Sequence, residues 1–306
     1  MKKTCVVCGG DCKQVGTEYK CIYCGAIFEE SDFQPKVKQA PVSAPAAGGT
    51  VSAGEGLGGD AVYAKVINSI ARIHASSNVS SGTSTGFLVS SKGFFLTNAH
   101  CVYDSSGAIA KNITVNVNGK TMKAFPVAVG EPLNSAEGKV ADLCLLFADG
   151  DYSGCHINSF GDYREVKNGQ REYIVGDPFG EGICITSGIV SDRARTLSGI
   201  DHPFLMTDAA TNPGNSGGPH YNSNGEVIGV HVAGRNKSEG MNYAVPINVA
   251  EAFISEVVKH PKLMNVDFGE LNKYKSPQTQ SATFVISGIK LLLDVVDYII
   301  SVFNRK

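Results

Sequence analysis

Thr207-Asp208-Ala209-Ala210-Thr211-Asn212-Pro213-Gly214-Asn215-Ser216-Gly217-Gly218-Pro219 is a glycine-rich turn built around one serine. A serine hydroxyl is a weak nucleophile near neutral pH. It needs a base to take its proton, and that base needs an acid to fix its tautomer and stabilise its charge. Two upstream segments supply them. Thr97-Asn98-Ala99-His100 follows the apolar run Phe94-Phe95-Leu96, and Ala141-Asp142-Leu143-Cys144-Leu145-Leu146 places an acid at the mouth of another apolar run. The order His100, Asp142, Ser216 is one of the known chain orders for such a trio. Glycines beside the serine let the backbone turn tightly, so that the N–H groups of Gly214 and Ser216 can point at a developing oxyanion.

The chain around this turn has 306 residues, enough for about two domains. Hydrophobic residues make up 42% and charged residues 18%, which supports a packed core and excludes a disordered polyelectrolyte. A net charge of −2 removes the electrostatic case for a nucleic-acid binder. Thirty-five glycines and no tryptophan favour turn-rich β structure. Between residues 61 and 246 short apolar runs alternate with Gly, Asn and Asp. Gly86-Phe87-Leu88-Val89, Ile113-Thr114-Val115-Asn116-Val117 and Val227-Ile228-Gly229-Val230 are examples. This pattern predicts a β sandwich or barrel. Helical spacing runs from Val249 to Lys259 and stops before Pro261. Residues 262–280 read as a polar, turn-rich connector. A second helix is expected over Ala282–Phe303.

The three catalytic segments resemble the trypsin-fold serine proteases, and among them the HtrA (Deg) family. The resemblance rests on Thr207 to Gly218, on Gly176-Asp177-Pro178-Phe179-Gly180, on Thr186-Ser187-Gly188-Ile189-Val190-Ser191 and on Thr97 to His100. It spans roughly residues 61–258. It implies a mainly β, trypsin-like double β-barrel with the active site between the barrels. By position, Ser216 is the nucleophile, His100 the general base and acid, and Asp142 the orienting acid. The chain departs from the pattern in three ways. The stretch after His260 is too short for the PDZ domain that HtrA proteins usually carry. Asn215 stands where digestive relatives have an aspartate that pairs with a new N-terminus, so activation by N-terminal clipping is not expected. Cys101 follows His100 without its customary upstream disulfide partner and is expected to be a buried thiol.

The same resemblance outlines a substrate pocket walled by Ala209 to Asn212 and Val230 to Gly234, with Ala210, Thr211, His231 and Ala233 as its candidate residues. Ala210 in place of an acid argues against a Lys/Arg preference. An imidazole N–H from His231 and the Thr211 hydroxyl suit a side-chain carbonyl or carboxylate, so Glu or Gln is expected before the scissile bond. Small apolar side chains, favoured by HtrA relatives, are the alternative.

Residues 1–33 form a cysteine module. Cys5-x2-Cys8 and Cys21-x2-Cys24, each followed by glycine, match a closed four-sulfur Zn²⁺ site and predict a structural zinc ribbon; Cys12 is spare. So small a piece would fold on metal binding. Its four lysines against five acids argue against nucleic-acid binding, leaving an unidentified protein partner. Residues 34–60, rich in Pro, Ala, Gly and Ser, read as a flexible linker. Lys2 and Lys3 lead into cysteines and glycines, not an apolar stretch, so a cytoplasmic chain with reduced thiols is expected. The helix expected in the connector-and-tail region 261–306 is largely apolar. It must pack on the domain or on a second protomer of a homo-oligomer, with peripheral membrane contact as the alternative. The functional reading is a serine endopeptidase of protein or peptide substrates. The alternative is a protease-like scaffold, latent until assembled with a partner.

Overall fold

The computed structural model describes residues 3–4, 11–21, 27–28, 56–131, 141–197, 200, 202–234, 240–263, 265–275, 290–292 and 299. At the N-terminus, β1 (Lys3–Thr4), β2 (Asp11–Val15), β3 (Glu18–Cys21) and β4 (Ile27–Phe28) pair antiparallel in that order. Lys3 faces Cys12, and Cys12 faces Cys21. The connections after β1 and after β3 therefore leave the same end of the sheet. Cys5, Cys8 and Cys24 lie outside the described residues, as do residues 34–55 of the predicted linker.

Helix α1 (Gly59–Val66) follows. It begins inside the predicted linker, because Val62 and Val66, one turn apart, both enter the core. Leu57 is already tied down by its N–H to the Ser223 carbonyl at 2.6 Å. The strands that follow are β5 (Ile70–Ser76), β6 (Ser81–Ser90), β7 (Phe94–Thr97), β8 (Asn112–Val117), β9 (Lys120–Lys123), β10 (Phe125–Val129) and β11 (Cys144–Phe147). They form one curled antiparallel sheet in the order β10-β11-β7-β6-β5-β8-β9. Next come β12 (Arg171–Gly176), β13 (Cys184–Arg195), β14 (Phe204–Thr207), β15 (Pro219–Tyr221), β16 (Val227–Gly234) and β17 (Asn242–Pro246). These close a barrel in the order β12-β13-β14-β17-β16-β15.

The sequence pattern explains how the sheets pack. On β8, Ile113, Val115 and Val117 alternate inward from polar neighbours. β7 and β11 are buried along their whole length. Phe95, Cys144 and Leu146 fill the first sheet's own interior, while Phe94, Leu96, Leu145 and Phe147 turn to a larger core shared with α1, β12 and α2 (Ile247–Val258). A strand covered on both faces needs an uninterrupted apolar run, as these two have.

Two expectations for the C-terminal region are corrected. The connector after α2 is not a solvated loop: Leu263, Val266, Phe268, Leu271 and Tyr274 are buried in the shared core. Their spacing is carried by short 3₁₀ turns at Pro261–Leu263 and Gly269–Lys275, so no 3.6-residue period announces them. Ser90 Oγ donates to the Phe268 carbonyl at 2.6 Å, and the Phe268 ring lies 4.9 Å from that of Phe94. Nor is Ala282–Phe303 one continuous helix. Lys290–Leu291 form β18, antiparallel to β10, with Leu292 N–H on the Val127 carbonyl at 3.1 Å. The open edge of β10 offers inter-strand hydrogen bonds that compete with helix formation there. The rest of this segment, apart from the buried Ile299, lies outside the described residues. No helix among the described residues is long and apolar enough to cross a membrane.

Because Phe268 is fully buried between α2 and β7, Phe268→Ala is expected to destabilise the chain by about 3–5 kcal/mol, read by thermal or denaturant unfolding.

Candidate active site

The pairing of β7 with β11 brings His100 and Asp142 together. Thr97 faces Cys144 across the ladder, so the chain leaving β7 at Asn98 passes the chain entering β11 at Asp142. Asn98 Nδ2 holds the Asp142 backbone carbonyl at 2.8 Å. The Asp142 carboxylate, fully buried, then takes two hydrogen bonds from His100. The backbone N–H reaches Oδ1 at 2.9 Å and ring Nδ1 reaches Oδ2 at 2.7 Å. With its proton on Nδ1, the neutral imidazole keeps Nε2 free to accept one. Burial alone would depress the His100 pKa. The Asp142 carboxylate, aided by the neighbouring Cys101 thiol, outweighs it and holds the group well above 6.5.

Ser216 comes from the loop between β14 and β15. Two glycines make its turn possible. Gly214 has φ +104°, and a Cβ there would stand 2.3 Å from the Asp177 carbonyl. Gly217 has φ +82°, and a Cβ there would stand 2.1 Å from the Thr85 carbonyl. Among the described residues, the backbone N–H groups of Gly214 and Ser216 donate to no protein acceptor. Both remain free for an oxyanion. Ser216 Oγ lies 3.5 Å from the Val232 carbonyl, and no hydrogen bond joins it to His100.

His100 and Ser216 nevertheless line one cleft of about 220 Å³, with Cys101, Tyr103, Gly214 and Ser81 to Ser84. Cys101, expected to be a buried thiol, is only partly buried. It stands on this cleft wall, and Sγ contacts the Ser216 carbonyl at 3.7 Å. Ala210, Thr211, His231 and Ala233 do not line this cavity. They lie on the closed barrel's side of the site, Ala210 and Thr211 on the β14–β15 loop and His231 and Ala233 on β16.

That second side is more ordered than the sequence suggested. The Thr211 hydroxyl is already spent as a donor, to Asn242 Oδ1 at 2.8 Å, while Asn242 Nδ2 donates to the Ala209 carbonyl at 2.7 Å. Ala210 gives its carbonyl to Thr186 Oγ1 at 2.9 Å. His231 is buried and exchanges backbone hydrogen bonds with the Ser216 loop, to the Gly218 carbonyl and from the Gly217 N–H, both at 2.8 Å. Asn242 carried no signal in the sequence. Neither did Thr85, whose Oγ1 donates to the Gly214 carbonyl at 2.7 Å and accepts from the Asp177 N–H at 2.9 Å. Asp177 in turn pairs with both Nε and Nη2 of Arg72 and accepts the Gly182 N–H at 2.8 Å. The buried Asn215, expected on sequence grounds to lack an ion pair, has no partner at Oδ1.

Comparison with known proteins places this geometry. Residues 84–230 match the family model described as a trypsin-like peptidase domain. A "Probable periplasmic serine endoprotease DegP-like" of Pseudomonas putida (strain W619) is 34% identical over 197 residues, 62% of this chain and 38% of the relative. "Serine protease Do-like HtrA" of Lactobacillus helveticus is 35% identical over 189 residues, 58% of this chain and 43% of the relative. Among solved structures, "HtrA-type protease AlgW with tripeptide" superposes with a TM-score of 0.54 at 26% identity, over 64% of this chain and 62% of that one. The serine endoprotease from Yersinia pestis gives 0.53 at 26%, over 65% of each chain. The fold is thus the trypsin-like one. The chain spans less than half the length of these curated relatives. The Pseudomonas putida relative is named periplasmic, which conflicts with the cytoplasmic expectation drawn from the N-terminal residues and overturns it.

The Asp142 carboxylate is what raises the His100 pKa, so Asp142→Asn is expected to move the His100 titration to lower pH. NMR titration of the ring protons checks this.

Proposed function

We propose that the chain is a serine endopeptidase of the HtrA type, acting on proteins or peptides through His100, Asp142 and Ser216. The observation that carries this is the doubly hydrogen-bonded His100–Asp142 pair facing Ser216 across one cleft. A χ1 rotation of Ser216 away from the Val232 carbonyl turns Oγ toward His100 Nε2. Oγ then attacks the scissile carbonyl carbon as its proton passes to Nε2. The carbonyl oxygen takes up the charge, and the free N–H groups of Gly214 and Ser216 receive it. The C–N bond breaks as imidazolium returns its proton to the leaving amine. Water then repeats the sequence on the acyl-enzyme. Because His100 delivers that proton, the cleft lined by His100 and Cys101 takes the leaving-group side of the substrate. The acyl side lies against the closed barrel.

On that acyl side, His231 supports a preference for Glu or Gln. Its Nε2 has no hydrogen-bond partner among the described residues and is not among the fully enclosed orphan atoms, so it remains open to a ligand. Thr211 offers only lone pairs there, since its proton is engaged. The two CxxC pairs support a structural Zn²⁺ held by Cys5, Cys8, Cys21 and Cys24. The strand order supports this, because both connections that carry them leave one end of the sheet. The metal would supply folding energy to the N-terminal module and take no part in cleavage. A scaffold that cleaves only after assembly is the second reading, favoured by the orientation of Ser216 Oγ toward Val232.

A fluorophosphonate probe is expected to label the wild-type chain and not Ser216→Ala. Peptide cleavage should rise with pH as His100 loses its proton, with a midpoint above 6.5, and Asp142→Asn should lower kcat by roughly 10⁴. Absence of label with and without added partner would leave the scaffold reading. One zinc per chain by elemental analysis, lost in a Cys5→Ser/Cys24→Ser double variant, is expected of the ribbon.

A further inference from the structure

Three buried ionisable side chains cross the closed barrel to the substrate pocket. Glu172 on β12, His220 on β15 and His231 on β16 are each at most 2% exposed. Glu172 Oε2 lies 3.3 Å from His220 Nδ1, and His220 Nε2 lies 3.3 Å from His231 Nδ1. The two imidazoles stack with centroids 5.5 Å apart and planes 13° from parallel. His231 Nε2 is the free end. The other charged groups that bear on this file are few. His100 acts on His231 from the facing sheet, and Asp208, held by the Ile189 N–H, stands over Gly188, the residue paired with Glu172. No Lys or Arg contacts the three among the hydrogen bonds and ion pairs of the described residues.

Proton counting decides what the free end is. Each of the two internal hydrogen bonds needs one proton. If the three groups hold only two, both are consumed internally. Glu172 is then a carboxylate, His220 carries its proton on Nδ1 and His231 carries its own on Nδ1. Nε2 of His231 is then a bare acceptor, and the file carries a buried, uncompensated negative charge. If the three groups hold three protons, the file is neutral overall. This is so whether the extra proton makes His220 an imidazolium or Glu172 a carboxylic acid. In either arrangement His231 accepts at Nδ1 and carries its proton on Nε2. Burying a net charge without a partner is costly, so the neutral count prevails. His231 itself stays neutral, because burial, then His220 and His100, push its pKa well down.

We infer that Glu172 and His220 are positioning residues that set the proton of His231, so that the pocket presents an N–H donor to the side chain before the scissile bond. This inference rests on the Glu/Gln reading of the pocket and deepens it. An N–H at Nε2 donates to a carboxylate or an amide carbonyl and is left unsatisfied by an apolar side chain.

The test uses the full chain and peptides that differ only by Glu, Gln or Val before the scissile bond. Wild type is expected to cleave after Glu and Gln at least about tenfold faster than after Val, by kcat/KM. In His220→Phe, which breaks the file, Glu and Gln should lose their advantage over Val while fluorophosphonate labelling persists. A Glu and Gln preference over Val that is unchanged in His220→Phe overturns the positioning role and leaves the pocket reading standing. If His231→Ala leaves all three peptides in unchanged proportion, the pocket reading falls, and the positioning role with it. Independently of any variant, ¹⁵N shifts of wild-type His231 should report the Nε2–H tautomer at pH about 6. The Nδ1–H tautomer there would refute the inference.

Discussion

One carboxylate does two jobs at the centre of this molecule. Asp142 takes the backbone N–H of His100 with one oxygen and its ring with the other. The first bond fixes where the imidazole stands and the second fixes which nitrogen carries its proton. Neither would hold in water, where both oxygens would be solvated. Burial makes the arrangement effective, and burial is supplied by β7 and β11, whose two faces are both covered. The apolar cores are therefore part of the chemistry. They keep the dielectric low around a charge that would otherwise be screened.

The Ser216 loop is held from both the curled sheet and the barrel. Thr85 of the sheet binds the carbonyls on either side of Asn215, through its N–H to Ser216 and its hydroxyl to Gly214. His231 of the barrel exchanges backbone hydrogen bonds with Gly217 and Gly218. A loop pinned this way leaves the hydroxyl of Ser216 as its soft element.

What the sequence made legible was whatever its chemistry forces into local order. His100, Asp142 and Ser216 stand out because each sits beside an apolar strand or a glycine turn that only such a site needs. The β class follows from short apolar runs, and α2 from its 3.6-residue spacing. Glu172 and His220 were invisible as partners of His231. Each lies alone on its strand, and only closure of the barrel brings β12, β15 and β16 together. Thr211 was read as a free donor because Asn242, which takes its proton, is 31 residues away. The packed segment from Leu263 to Tyr274 escaped because 3₁₀ turns leave no regular period. The apolar tail was read as helix because hydropathy alone does not reveal that β10 waits with an open edge.

That edge has a further consequence. A curled sheet that does not close has two flanks, and this one protects them by different means. On β9 the exposed flank carries Lys120 and Lys123, whose charges discourage a foreign strand from docking. On β10 the flank is occupied by the chain's own residues 290–291. A chain that lost its last segment to trimming would keep His100, Asp142 and Ser216 yet acquire an adhesive margin. Self-association in aged or nicked preparations would then begin there.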